Sequence, residues 1–157
     1  MPRRVLLLFV CCVALLGVAA IAGAQTLSDT NLRLVLTGYD PVAYFTEGQP
    51  TPGKPEFETV FDGARYRFAS AANMNRFQSD PDKYAPQFAG ACTHGLSKGV
   101  KVAADPNFWR IIDGKLYVFA SSKALPEMDS NPQAMQAIIA NANENNTALA
   151  GQPFKSN

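Results

Sequence analysis

The stretch Asp62-Gly-Ala-Arg-Tyr-Arg-Phe-Ala-Ser70 returns as Asp113-Gly-Lys-Leu-Tyr-Val-Phe-Ala-Ser121, so the two copies share D-G-x-x-Y-x-F-A-S. In each copy the Asp-Gly pair follows a β-rich run, Phe57–Phe61 in the first and Phe108–Ile112 in the second. Glycine supplies the positive φ that a two-residue type I′ turn demands, so each copy predicts a β-hairpin. Tyr66 with Phe68, and Tyr117 with Phe119, fall on one face of their strands at a spacing of two. Two similar hairpins together predict one small antiparallel sheet.

Each copy ends in a serine that leads into a helical pattern. Ser70 is placed to cap a helix from Ala71, with Met74 and Phe77 on its buried face and Asp80-Pro81 ending it. After Ser121 the pattern is interrupted by Pro126 and restarts at Asn131-Pro132, with proline at the first helical position. Met135, Ile138, Ile139 and Ala142 then form an apolar stripe that runs to about Asn146. Upstream, Leu32, Leu34 and Leu36 alternate as in a strand, with a helical turn as the alternative, and Thr46–Pro55 reads as a Gly/Pro-rich loop. Strands and helices in this order predict an α+β fold: an antiparallel sheet of two Asp-Gly hairpins with helices packed on it.

The N-terminus has the make-up of a secretory signal. Arg3 and Arg4 precede an uninterrupted apolar and small-residue run from Val5 to Ile21, and Ala22-Gly23-Ala24 fits an A-x-A cleavage pattern. The competing reading is an anchor, because a bilayer-spanning helix needs about 20 apolar residues. Small residues close the run where an anchor would carry charge, which favours cleavage. The expected organisation is a signal over residues 1–24, a domain over 25–150 and a flexible tail over 151–157. The expected location is the periplasm or the exterior, with the choice between the general and the twin-arginine route left open. Cleavage would remove Arg3 and Arg4 and leave 12 basic side chains, from the 14 present, against 13 acidic ones. A near-neutral chain with no basic run argues against nucleic acid as a partner, and after cleavage no segment is apolar enough for a membrane.

Cys11 and Cys12 lie in the leader, so Cys92 is the one thiol of the expected domain, and His94 is the single histidine of the whole chain. If the segment is extended, residues at a spacing of two face the same way and set thiolate beside imidazole. That pair suits Zn²⁺ or a copper ion. The other ligands would come from Asp105, Met74, water or a second copy of the chain, so a homodimer or another protein partner fits this reading. A metal-free domain that recognises a protein or a small molecule is the second reading. A thiol enzyme with Cys92 as nucleophile and His94 as base is the third, and it lacks a C-x-x-C partner and an orienting group. Tyr39, Tyr84 and Trp109 read as core aromatics before they read as a ligand pocket. Glycines 90, 95 and 99 match neither nucleotide-binding loop pattern.

Gly38-Tyr-Asp-Pro-Val-Ala-Tyr-Phe45, Tyr66-Arg-Phe-Ala-Ser70, Phe77-x-x-Asp-Pro-x-x-Tyr-Ala-Pro-Gln87, Gly90-x-Cys92 and Ser97-x-Gly99 together resemble YHS-domain proteins, specifically the exported bacterial group. The resemblance spans Tyr39 to Tyr117 and implies a YHS/TRASH-like fold. Related modules attached to heavy-metal transporters carry cysteines in D-P-V-C and F-C-S-x-x-C. The matching positions here are Ala43, Ala69 and Asn73, so the resemblance implies that this transporter-type metal site is absent. Cys92 matches the cysteine of the exported group. The expectation is therefore a non-enzymatic binding protein, with Cys92 and His94 as the metal-ligand candidates.

Overall fold

The structure, a computed structural model, describes residues 32–155. The leader, its cleavage site and the lead-in before Leu32 lie outside the described residues.

Both hairpins form where the Asp-Gly pairs predict them. Strand β1 (Lys54–Phe61) pairs antiparallel with β2 (Ala64–Phe68), and β3 (Asp105–Ile112) pairs antiparallel with β4 (Lys115–Phe119). Asp62 and Gly63 have φ of 47° and 66°, and Asp113 and Gly114 have 51° and 72°, so both central residues of each turn are left-handed. Type I′ turns require this, and it is why each pair ends in glycine. The hairpins do not merge. Among the described residues they remain two separate two-stranded sheets, a correction to the single sheet expected. The free edge of β2 is already met by Leu34, which bridges Arg65, while Arg65 N donates to Arg33 O at 2.9 Å.

Of the two readings of Leu32–Leu36, the strand survives only as that bridge and the helical turn is the one that forms. Val35 and Leu36 are both buried, so apolar residues stop alternating there. The chain instead turns through a 3-10 segment, Val35–Gly38, with Leu36 and Thr37 both at φ 51°. Helix α1 (Ala43–Thr46) follows. Helix α2 (Ala71–Ser79) begins as expected, with Ser70 Oγ accepting from Asn73 N at 3.2 Å. Phe77, 1% exposed, anchors it in the core. Asp80 Oδ1 then accepts from Lys83 N and caps α3 (Pro81–Tyr84).

From Gln87 the same sequence of elements is built again. A 3-10 segment, Gln87–Gly90, holds Phe88 and Ala89 at φ 56° and 52°. Helix α4 (Thr93–Ser97) takes the place of α1, and the second hairpin takes the place of the first. Even the irregularities recur. The register slips between Lys54 and Glu58 in one hairpin and between Asp105 and Trp109 in the other. Tyr39 bridges Pro52, and Ala91 bridges Ala103. The fold is thus a duplicated unit, and the D-G-x-x-Y-x-F-A-S echo is only its most legible part.

After the second hairpin come a 3-10 turn (Ser122–Ala124), α5 (Leu125–Ser130) and α6 (Pro132–Ala148). Pro126 lies in the first turn of α5, where a missing N–H breaks no helical bond, so it starts a helix and does not interrupt one. Asn131 Oδ1 caps α6 through Ala134 N at 3.1 Å. Met135, Ile139 and Ala142 are buried, and Asn145 Nδ2 ties α6 to α4 through Leu96 O at 2.9 Å. The halves share one core of aromatic and aliphatic side chains, and Tyr44 Oη crosses between them to Pro106 O at 2.9 Å. Burial pushes the Tyr44 phenol well above its ordinary pKa, so it acts as a neutral donor. Residues 151–155, expected as a flexible tail, return to the fold. Lys155 N donates to Lys101 O at 2.8 Å, and Phe154 is flanked by Arg33 and Lys101.

Candidate functional site

Cys92 stands immediately before α4, with φ −61° and ψ 114°, in the N-cap position. Its Sγ accepts two backbone hydrogen bonds, from Gly95 N and from Ala120 N, both at 3.2 Å. The first closes the helix start, and the second fastens it to the residue just past β4. Cys92 is 5% exposed, and its thiol is free. Because Thr93–Ser97 is helical, the extended geometry expected for Cys92-Thr-His94 does not occur. His94 is the second residue of this short helix and is half-buried. The two side chains nevertheless line one cavity of about 280 Å³. Val102, Phe119 and Ala120 form its apolar walls, while Ser121 and Lys123 add polar groups that the sequence reading did not single out.

The other proposed ligands are elsewhere. Asp105 Oδ1 accepts from Asn107 N and Nδ2, both at 2.9 Å, and Met74 packs against the main core. No group of three or more His, Cys, Asp or Glu side chains able to hold a metal occurs among the described residues. Sγ receives its hydrogen bonds from backbone amides, and no bond between it and His94 occurs among the described residues.

Asp40 occupies the same place in the first half. It is fully buried, and its carboxylate accepts four hydrogen bonds. Oδ1 takes Val42 N at 2.8 Å and Ala43 N at 3.4 Å; Oδ2 takes Ala69 N at 2.8 Å and Asn73 Nδ2 at 2.7 Å. Asp40 reaches a backbone N–H 29 residues downstream, just past β2, and Cys92 reaches one 28 residues downstream, just past β4. The residue that ties its own unit together is a carboxylate in one half and a thiol in the other. Ala43, Ala69 and Asn73, the positions that the resemblance sets against cysteines, all donate to Asp40. Three positions scattered in sequence are therefore neighbours in space, and here they surround a carboxylate.

Residues 42–88 match the model of the YHS domain family. Over that stretch, less than a third of the chain, the sequence is similar to the YHS domain. The match takes in α1, the first hairpin, α2 and α3, and it ends before Cys92, so it is narrower than the span from Tyr39 to Tyr117 over which the resemblance was traced. Neither a curated protein nor a solved structure matches the chain. Beyond residue 88, the second half is placed only by its structural likeness to the first. No helix among the described residues is long and apolar enough to cross a membrane.

Asp40 was not among the candidates expected from the sequence. A signal was present: Asp40 and Cys92 each precede their Asp-Gly turn by nearly the same interval, so aligning the echo backwards pairs them.

Proposed function

We propose that this YHS-domain protein is an exported, non-enzymatic binding module whose ligand occupies the cavity at Cys92. The proposed ligand is a soft or borderline metal ion, Cu⁺ or Zn²⁺, bound by the Cys92 thiolate with His94 assisting. The observation that carries the reading is that the single thiol of the proposed mature chain and the single imidazole line one cavity. Backbone N–H bonds to Sγ are compatible with ligation, since such bonds orient and tune metal-bound thiolates. Two side-chain donors suit Cu⁺, which tolerates few ligands, better than a closed four-ligand zinc site. Zinc would need water or a second copy of the chain to complete its shell.

Titration of the reduced protein against a competing chelator tests this. Cys92→Ser should abolish Cu⁺ or Zn²⁺ binding, and His94→Ala should weaken it by a smaller factor. Equal affinity in wild type and Cys92→Ser, or no metal binding by the wild type, would sink the reading. The apolar walls of Val102 and Phe119 favour a second reading, a metal-free adaptor that takes an apolar group of a protein or small molecule into the same cavity. Export is tested by intact mass, with Gln25 the expected first residue of the mature protein.

A further inference from the structure

A second cavity, of about 300 Å³, shares no lining residue with the first. It lies where the first hairpin turn, α3, the 3-10 segment of the second half and α6 converge. Its polar lining is Asp62, Tyr66, Asp82, Gln87, Lys101 and Asn146.

Most of these groups are uncommitted. Tyr66 is 3% exposed, its ring packed against Phe61 and Phe77, yet its hydroxyl has no hydrogen-bond partner among the described residues. Burial pushes its pKa up to about 12, so near neutrality it is a protonated phenol that can both donate and accept. The hydroxyl opens on the cavity, where a ligand group could supply the partner that the protein does not. The carboxylates of Asp62 and Asp82 form no ion pair or hydrogen bond among the described residues. The side-chain amides of Gln87 and Asn146 form none either. The cations nearby are, by contrast, engaged. Lys101 Nζ donates to Gln152 O at 3.1 Å and lies over the Phe154 ring. Arg33 donates to Ala89 O and lies over the same ring. The unmet demand of the cavity is therefore for hydrogen-bond donors that carry positive charge.

We infer that this cavity is a second binding site, for a small organic cation of about amino-acid size. Its ammonium or guanidinium would sit between Asp62 and Asp82, and a polar group would reach the Tyr66 hydroxyl. The amides of Gln87 and Asn146 would supply further contacts. A guanidinium suits the site best, since its several N–H donors can serve two carboxylates at once.

Calorimetric titration of the purified protein with agmatine, with putrescine as a diamine probe and acetate as an anionic control, tests the inference. Agmatine should bind, putrescine should bind more weakly, and acetate should not bind. Tyr66→Phe keeps the ring packing and should weaken agmatine binding about tenfold with an unchanged melting temperature, because the hydroxyl has no partner to lose. Asp82→Asn, at an exposed position, should weaken it by a similar factor without any effect on folding. Asp62→Asn should do the same, since asparagine tolerates the left-handed turn position. Absence of agmatine binding, equal affinity in Tyr66→Phe and Asp82→Asn, or preferential binding of acetate would each overturn the inference. Cys92→Ser should leave agmatine affinity unchanged, which separates this site from the proposed metal site.

Discussion

The two halves of the molecule run the same backbone through the same irregularities, but they secure it with different chemistry. In the first half a buried carboxylate gathers four donors, three from the backbone and one from Asn73. In the second half a thiol gathers two, and a cavity lies against it. Counting from the serine that closes each echo, the residue matching Asn73 is Ala124. The first half has thus closed its fastening point with its own side chains, while the second has left room for something else. A carboxylate in that position needs every one of its donors to offset desolvation, whereas a thiol is apolar enough to sit there with only two. The cavity at Cys92 thus lies against the fastening point that has fewer donors.

The largest expected effect follows from Asp40. Asp40→Ala would strip four donors of their acceptor inside the fold, each orphaned group costing about 1–3 kcal/mol. A loss of more than about 4 kcal/mol is expected in chemical denaturation, enough to unfold a typical small domain. Cys92→Ala would strand only two donors, from an acceptor that is weak to begin with, so about 1–2 kcal/mol is expected. Similar losses from the two substitutions would break the comparison, because they would mean that carboxylate and thiol do equal work.

How much of this could be read from the sequence depends on how strongly each residue constrains its own backbone. Asp-Gly turns were legible because few other pairs accept two consecutive left-handed residues, and Ser70 and Asn131 because side-chain caps have a short local signature. Leu36, Thr37, Phe88 and Ala89 adopt left-handed backbone with no such signature. Each pair runs into a glycine that is itself left-handed, Gly38 at φ 93° and Gly90 at 78°, and only the tertiary structure reveals the run. Cys92 and His94 do line one cavity, but on a helix and not on the extended backbone expected, since a five-residue helix has too little periodicity to betray itself. Asp40 escaped because its partners are far away in sequence, and Asp-Pro has an adequate local explanation as a turn.

The glycines of the two turns offer a sharper test of equivalence. Gly63 and Gly114 have φ of 66° and 72°, and a Cβ at either would meet nothing within 4 Å. The cost of Gly63→Val or Gly114→Val is therefore backbone strain alone, about 1–2 kcal/mol at each position. The two losses in stability should agree closely. A large inequality would show that one turn depends on tertiary contacts that the other lacks.

The smallest expected effect is also the cleanest comparison, because the same place in each half carries a neutral contact in one and an ion pair in the other. Gln78 Nε2 on α2 donates to Thr59 Oγ1 on β1 at 3.3 Å, across 19 residues. Arg110 on β3 meets Asp129 on α5 across the same 19 residues, with Nε to Oδ1 at 2.8 Å and Nη2 to Oδ2 at 2.5 Å. Both ties strap the helix after the hairpin to the hairpin's first strand. The ion pair is bidentate but exposed, so solvent screening holds its contribution below about 1 kcal/mol, close to that of a neutral hydrogen bond. The double replacement Arg110→Thr with Asp129→Gln, which copies the first half into the second, should therefore change stability at neutral pH by only a few tenths of a kcal/mol. Its signature lies in pH and salt. Hydrogen bonding from Arg110 holds the Asp129 carboxyl below its ordinary pKa. A carboxyl depressed in the folded state stabilises above its unfolded pKa and loses that contribution as pH falls through the lower folded value. Wild type should consequently lose slightly more stability than the double variant on acidification through the carboxylate range, and slightly more in high salt. Denaturation curves of both proteins at neutral and acidic pH would measure this, and parallel losses would show that the ion pair contributes nothing that the neutral strap does not.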